Sequence, residues 1–285
     1  MSVISRLLSK IFITSSLFFI VIVAASISLY ASEQEEFLRG PNGKPDLNGV
    51  WQVLNSANYN LEAHSASASM AMIEGPVVPI PHPSIVALGT IGSVPAGLGV
   101  VEGGTIPYKR QALKTREENK KNWVDRDPEI KCYLPGVPRA TYMSFPFQIF
   151  HSEKAIFFAY EYAGAVRNIY LEDPGPAPID SWMGQSWGYW EDDTLVIEVT
   201  GFNGQTWFDR SGNFHSDQLK VIEKYTLINN HTMKYEATIE DEKVFTKPWK
   251  ISMNLYKRVG KDAQLQQFKC VEFVEELFYG QWRGN

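Results

Sequence analysis

Cysteine is scarce in this chain of 285 residues, which holds only Cys132 and Cys270. With no C-x-x-C pair, neither a dithiol redox centre nor a thiolate zinc site of ordinary spacing can be read from it. Also missing are a G-x-S-x-G elbow, a P-loop, an H-E-x-x-H pair and a G-x-G-x-x-G turn after a strand. Their absence removes the local signatures of serine hydrolases, nucleotide-binding enzymes and zinc proteases. The five histidines, His64, His82, His151, His215 and His231, stand apart from one another. The sequence therefore points to no metal and no cofactor. Positive charge is short as well, with 27 Lys and Arg against 32 Asp and Glu and a net charge of −5. Nucleic acid is not an expected partner for such a chain. There is no internal repeat.

What is present leans toward β-structure. Aromatic residues make up 13% of the chain, and such side chains suit half-buried pleated surfaces. The 21% of charged residues against 44% hydrophobic ones is the balance of a globular protein rather than a disordered one.

One long apolar run opens the chain. Arg6 and Lys10 precede residues 11–31, and no acidic residue occurs before Glu33. That order is the layout of an export signal. Small residues at Val23-Ala24-Ala25 and Ala24-Ala25-Ser26 offer cleavage sites, while the length of the run also suits a bilayer-spanning helix. Residues 1–32 are thus expected to be a signal peptide or an N-terminal membrane anchor, with the rest on the far side of the membrane. The expected location is periplasmic or secreted, with anchoring in the inner membrane as the alternative. In an oxidising compartment the two cysteines read first as a disulfide, and otherwise as two separate buried thiols.

Residues 33–285 are expected to form one β-rich domain. Gly49-Val50-Trp51-Gln52-Val53 reads as its opening strand. Residues 64–107 are a long stretch rich in Ala, Ser, Gly and Pro with few charges, expected to cover a pocket or to pack on a neighbour. Residues 108–123 carry strong helix formers without Gly or Pro and predict a surface helix. Strands follow at 155–162 and 166–171, around Ala163-Gly164-Ala165, then at 187–190, 194–200, 218–228, 232–239 and 249–256, joined by short polar turns. This succession predicts an antiparallel meander, closed as a lipocalin-like barrel or folded as a sandwich. Residues 270–280 fit a short terminal helix or a last strand.

Within residues 218–228, one face carries Leu219, Val221, Glu223, Tyr225 and Leu227. Glu223 is the carboxylate on that apolar face, where it needs either a proton or a partner such as Arg139 or Arg167. Those properties suit a general acid or base, and equally a structural ion pair. The polar loop before it holds Trp207, Asp209 and His215. His215 could shuttle protons near neutral pH, or be a hydrogen-bonded turn residue. The segment Asp180-Ser181-Trp182-Met183-Gly184-Gln185-Ser186-Trp187 has a similar character. Glu223 and His215 are therefore the candidate catalytic pair. Arg139, Arg167, Trp182, Trp207, Asp209 and Tyr225 are candidate binding residues.

The segments GKPDLNGVW, AGLGVVEGGTIPY, DPEIKCYLPGVPRATYMSFPFQI, DSWMGQSWGYWEDDTLVIEVTGFNGQTWFDRSGNFHSD and VIEKYTLINNHTMKYEATIEDEKVFTKPW add a resemblance. They are similar to segments of a family of exported bacterial proteins, most of them hypothetical, and the likeness runs from about Gly43 to Trp249. It implies a secreted β-rich protein and says nothing of a reaction. Many members carry Cys-His-Glu-Gly-Asn near the C-terminus, where this chain has Cys270-Val271-Glu272-Phe273-Val274. Any role of the family's histidine is absent here. The cysteines match in place, which supports the disulfide. Taken together, the expectation is an exported cup that binds a hydrophobic small molecule, with cofactor-free turnover by Glu223 and His215 as a further possibility. The alternative is an accessory subunit of a membrane complex, with residues 11–31 as its anchor and residues 64–107 against a membrane protein partner. A secreted hydrolase rests on generic His and carboxylate content alone.

Overall fold

A computed structural model describes residues 37–40, 42–67, 69–73, 80–85, 94–268 and 270. The apolar run at 11–31 and the tail after Cys270 lie outside them. Nine strands close into a barrel: β1 (Gly49–Val53), β4 (Phe147–His151), β5 (Ile156–Tyr160), β6 (Val166–Tyr170), β7 (Gln185–Glu191), β8 (Thr194–Thr200), β9 (Lys220–Asn229), β10 (Thr232–Glu240) and β11 (Trp249–Lys257). Two more, β2 (Ser69–Ile73) and β3 (Ile80–Ile85), pair with each other in a separate two-stranded sheet. The barrel order is β1-β11-β10-β9-β8-β7-β6-β5-β4, with β4 returning to β1. Closure rules out the sandwich.

Period-two patterning decides which side chains enter the barrel. In β11, Trp249, Ile251, Met253 and Leu255 are buried while Lys250, Asn254 and Tyr256 face out. β9 repeats this with Val221, Glu223, Tyr225 and Leu227 inward. Opposite them β10 turns Met233, Tyr235, Ala237 and Ile239 into the same core. Among the described residues every pairing between barrel strands but one is antiparallel. β6 and β7 run parallel, so the expected meander breaks there, and the chain takes residues 171–184 to return. Parallel neighbours need such a crossover, whereas a hairpin needs only a tight turn.

The expected helix is α1 (Arg110–Lys121), followed by the short α2 (Trp123–Arg126). Lys120 and Lys121 in the last turn of α1 complement its dipole. Gly212 lets the loop before β9 lie against this helix, because a Cβ there would come within 2.7 Å of the Arg116 carbonyl oxygen. A third helix, α3 (Arg139–Tyr142), enters β4 and is wholly buried. Cys132 and Cys270 form a disulfide with Cα atoms 5.7 Å apart, closing a sequence separation of 138.

Residues 64–107 leave and rejoin the domain at one place. His64 pairs with Gly97 and Ser67 with Val94, after which Val101 joins Ile251 of β11 and Tyr108 joins Phe245.

Candidate functional site

Glu223 lies inside the barrel with 0% exposure, across from Ile197 of β8 and Ala237 of β10. Its Oε2 accepts from Arg167 Nη2, and its Oε1 accepts from the hydroxyls of Tyr225 at 2.9 Å and Tyr235 at 2.8 Å. Arg167 also donates from Nε to Ser186 Oγ at 2.7 Å, and its guanidinium lies 5.7 Å from the centre of the Phe158 ring. Burial works against the Arg167 charge, but the Glu223 carboxylate outweighs it and raises the guanidinium's pKa. Burial and the same carboxylate push Tyr225 and Tyr235 well above the ordinary phenol range. The interior partner of Glu223 is thus Arg167, not Arg139.

Three donors converge on the two oxygens of Glu223, so an amide cannot replace it cleanly. We expect Glu223→Gln to lose about 3 kcal/mol of stability. Adding Arg167→Met should recover part of that, since the buried cation left without its carboxylate is then removed as well. Urea unfolding of the single and double variants measures both. A single variant as stable as the parent would show that the pair contributes nothing.

Arg139, at the start of α3, is the hub of a second buried set. It donates from Nε to Asn58 Oδ1 at 2.8 Å, from Nη1 to Asp127 Oδ1 at 3.1 Å and from Nη2 to Glu129 Oε2 at 2.5 Å. Arg210 closes on the same Glu129 carboxylate with two bonds of 2.8 and 2.6 Å, the forked geometry that guanidinium and carboxylate favour. Burial pushes Glu129 up, but Arg210 and Arg139 outweigh it and hold the group down at about 2. Burial raises Asp127, and Arg139 only partly offsets this.

Asp209 completes the set from the next position in the chain. It accepts from the backbone N–H of Leu61 at 2.8 Å and of Ser211 at 2.9 Å, and from Asn213 Nδ2 at 2.6 Å. Burial pushes it up to about 6 against these donors and the Arg139 charge. The Arg210 N–H reaches the Asn58 carbonyl oxygen, and Ser211 Oγ reaches that of Tyr59. Arg139 and Asp209 therefore hold the two ends of residues 58–61, with a backbone N–H and a hydroxyl on the carbonyls between.

His215 belongs to neither set. Its Nε2 meets Thr206 Oγ1 at 2.5 Å and its Nδ1 meets the Ser216 carbonyl oxygen at 2.8 Å, with Phe202 and Phe208 against the ring. A neutral ring that donates at Nδ1 and accepts at Nε2 satisfies both contacts. Burial lowers its pKa, which favours that form. No hydrogen bond joins it to Glu223, so the two candidate catalytic groups occupy separate networks. Trp207 is buried and bridges to Phe214. Trp182 packs on Tyr133 with ring centres 4.9 Å apart, one residue from the disulfide. Among the described residues no three potential metal ligands come together.

Asn60, from the turn that Arg139, Asp209 and Arg210 hold, joins residues 54–57 along one wall of a cleft of about 560 Å³. Leu54, Asn55 and Asn60 lie on that side, with Pro95, Leu98 and Val100 facing them from the returning end of the long excursion. Leu54 is 70% exposed and Leu98 99% exposed. A second cleft of about 530 Å³ lies beside Lys109, Lys220 and Lys247 and carries Glu240 and Glu242 as well. Its mixed charge makes it the poorer seat for an apolar molecule.

Sequence reasoning singled out Arg139 and Asp209 but missed Asn58, Asp127, Glu129 and Arg210. The acid-Pro-acid run at Asp127-Pro128-Glu129 and the Asp209-Arg210 pair were the available signals. Comparison of the chain with family models, with curated proteins and with solved structures gives no match in any of the three.

Proposed function

We propose that this protein is exported and binds a hydrophobic small molecule in the cleft between residues 54–60 and 95–100. The observation that carries the reading is the pair of exposed leucines, Leu54 and Leu98, flanking a mainly apolar cleft of about 560 Å³. Small-molecule sites fall in the range of about 300–1,000 Å³ and combine apolar walls with a few placed polar groups, a part that Asn55 and Asn60 can play here. The turn that carries Asn60 is held by hydrogen bonds with Arg139, Asp209 and Ser211, so that part of the wall is preorganised. Export is supported by Arg6 and Lys10 ahead of residues 11–31, by the disulfide, and by the resemblance to exported bacterial proteins. Turnover by Glu223 and His215 does not form part of the proposal, because both are enclosed and neither lines the cleft.

The test is direct. Solvent extraction of protein purified from the cell envelope, followed by mass spectrometry, should recover an apolar molecule. Leu54→Asp with Leu98→Asp should remove it while leaving the melting temperature unchanged, since both side chains are exposed. Recovery of nothing from the parent protein, or of equal amounts from the double variant, would reject the reading.

A second reading, an accessory subunit held by residues 11–31, is favoured by β2 and β3, which among the described residues pair with no strand of the barrel.

A further inference from the structure

The cleft between residues 54–60 and 95–100 has no charged side chain on its walls. The gap extends well beyond it, since no Lys or Arg occurs from Pro45 to Tyr108, the stretch that supplies every described residue lining the cleft. A carboxylate or phosphate entering there would give up water and meet no cation in return, which is costly. Glu62, the acid next to this wall in sequence, is already engaged. Its carboxylate accepts from Arg116 Nη2 and from the Ile106 N–H, each at 2.8 Å. The walls therefore suit an uncharged molecule.

Among the described residues three polar side chains line the cleft, and the donors of two of them have partners. Asn55 donates from Nδ2 to Met253 Sδ at 3.4 Å and accepts at Oδ1 from the Ala57 N–H at 3.0 Å. The Ser56 hydroxyl donates to the Ala96 carbonyl oxygen at 3.3 Å. Asn60 differs. Its Oδ1 accepts from the Glu62 N–H at 3.0 Å, which fixes the orientation of the amide and leaves Nδ2 on the other side. Among the described residues Nδ2 has no acceptor, yet it is not sealed from solvent. Asn60 is only 9% exposed, and the cleft is the open space that it borders. A nearly buried donor without an acceptor costs free energy, and a ligand that supplies the acceptor relieves that cost.

We infer that Asn60 is the specificity-determining residue of the cleft, donating from Nδ2 to a carbonyl oxygen of an uncharged, otherwise apolar ligand such as a ketone, ester or amide. The inference rests on the binding reading above and narrows it. Fatty acids and other anions share the apolar body but lack a counter-charge here, and plain hydrocarbons gain nothing from the amide. The donor is in place before a ligand arrives. The Asn60 N–H reaches the Ser56 carbonyl oxygen at 3.2 Å, while Arg139 and Asp209 hold Asn58 and Leu61 on either side. Little freedom is then lost on binding, so the bond contributes to affinity with small offset.

Equilibrium dialysis of the full chain against three probes of similar shape tests this: the ketone 2-acetonaphthone, the hydrocarbon 2-isopropylnaphthalene and the anion 2-naphthoate. Asn60→Ala removes the donor, and Asn60→Asp removes it while keeping an acceptor for the Glu62 N–H. In both variants the affinity for the ketone, divided by that for the hydrocarbon, should fall about fivefold. The ratio cancels any general loosening of the walls. The anion should bind the parent protein at least about tenfold more weakly than the ketone. An unchanged ratio in either variant, or an anion bound as tightly as the ketone, would overturn the inference while leaving the cleft as a binding site. Failure of both the ketone and the hydrocarbon to bind the parent would reject the cleft reading, and the inference with it.

Discussion

Arg139→Leu should lower the stability of the protein by about 5 kcal/mol, measured by urea unfolding followed through tryptophan fluorescence. The side chain is fully enclosed and serves Asn58, Asp127 and Glu129 at once. Removing it leaves Asp127 buried without its cation and Glu129 with Arg210 alone, and an uncompensated buried charge is among the costliest defects a fold can carry. Arg139→Lys should be nearly as harmful, because one ammonium group cannot reproduce the fork that meets all three partners. The intact cluster also shapes the acid limb of stability. Glu129 is held at about 2, below its unfolded value, so its contribution is fully present above about pH 5 and is lost as the pH falls through about 2. A loss below about 1 kcal/mol in Arg139→Leu would mean that the neighbouring acids simply take up protons.

Reducing the disulfide, or replacing Cys132 with serine, should remove about 5 kcal/mol. The bridge spans a sequence separation of 138, which the chain-entropy model converts to that value. The closed loop contains α3 and every barrel strand except β1. The link therefore restrains the unfolded form of nearly the whole barrel while touching the native form at one point. Parallel urea titrations with and without reductant measure the difference. The reduced protein should keep its far-ultraviolet circular dichroism in the absence of urea, and an unchanged urea midpoint would contradict the estimate.

Local patterning carried much of this architecture. The alternation in β9 placed Glu223 inside before any contact was known, since a strand's facing depends only on its own neighbours. The same holds for β11 and for α1. What escaped was whatever depends on closure. Nothing in residues 171–184 announces that β6 and β7 will run parallel. Arg139 was legible as a carboxylate partner, but not that Asp127 and Glu129 would claim it while Arg167 took Glu223. The cleft escaped for the same reason, being built from residues 54–60 and 95–100, two stretches with no shared period.

The position of β1 has a consequence for how the chain comes to be folded. This first strand sits between β4 and the last strand, β11, so that Gln52 bonds Arg258 across 206 positions of sequence. A chain synthesised from its N-terminus exposes β1 long before its second neighbour exists. Until β11 arrives, one edge of β1 offers unpaired N–H and C=O groups, a template for association with other chains. Long-range pairing of this kind is slow to form and exposed to aggregation meanwhile. β11 therefore acts as the staple that ends a vulnerable interval, and a truncation before Trp249 would leave the ring permanently open.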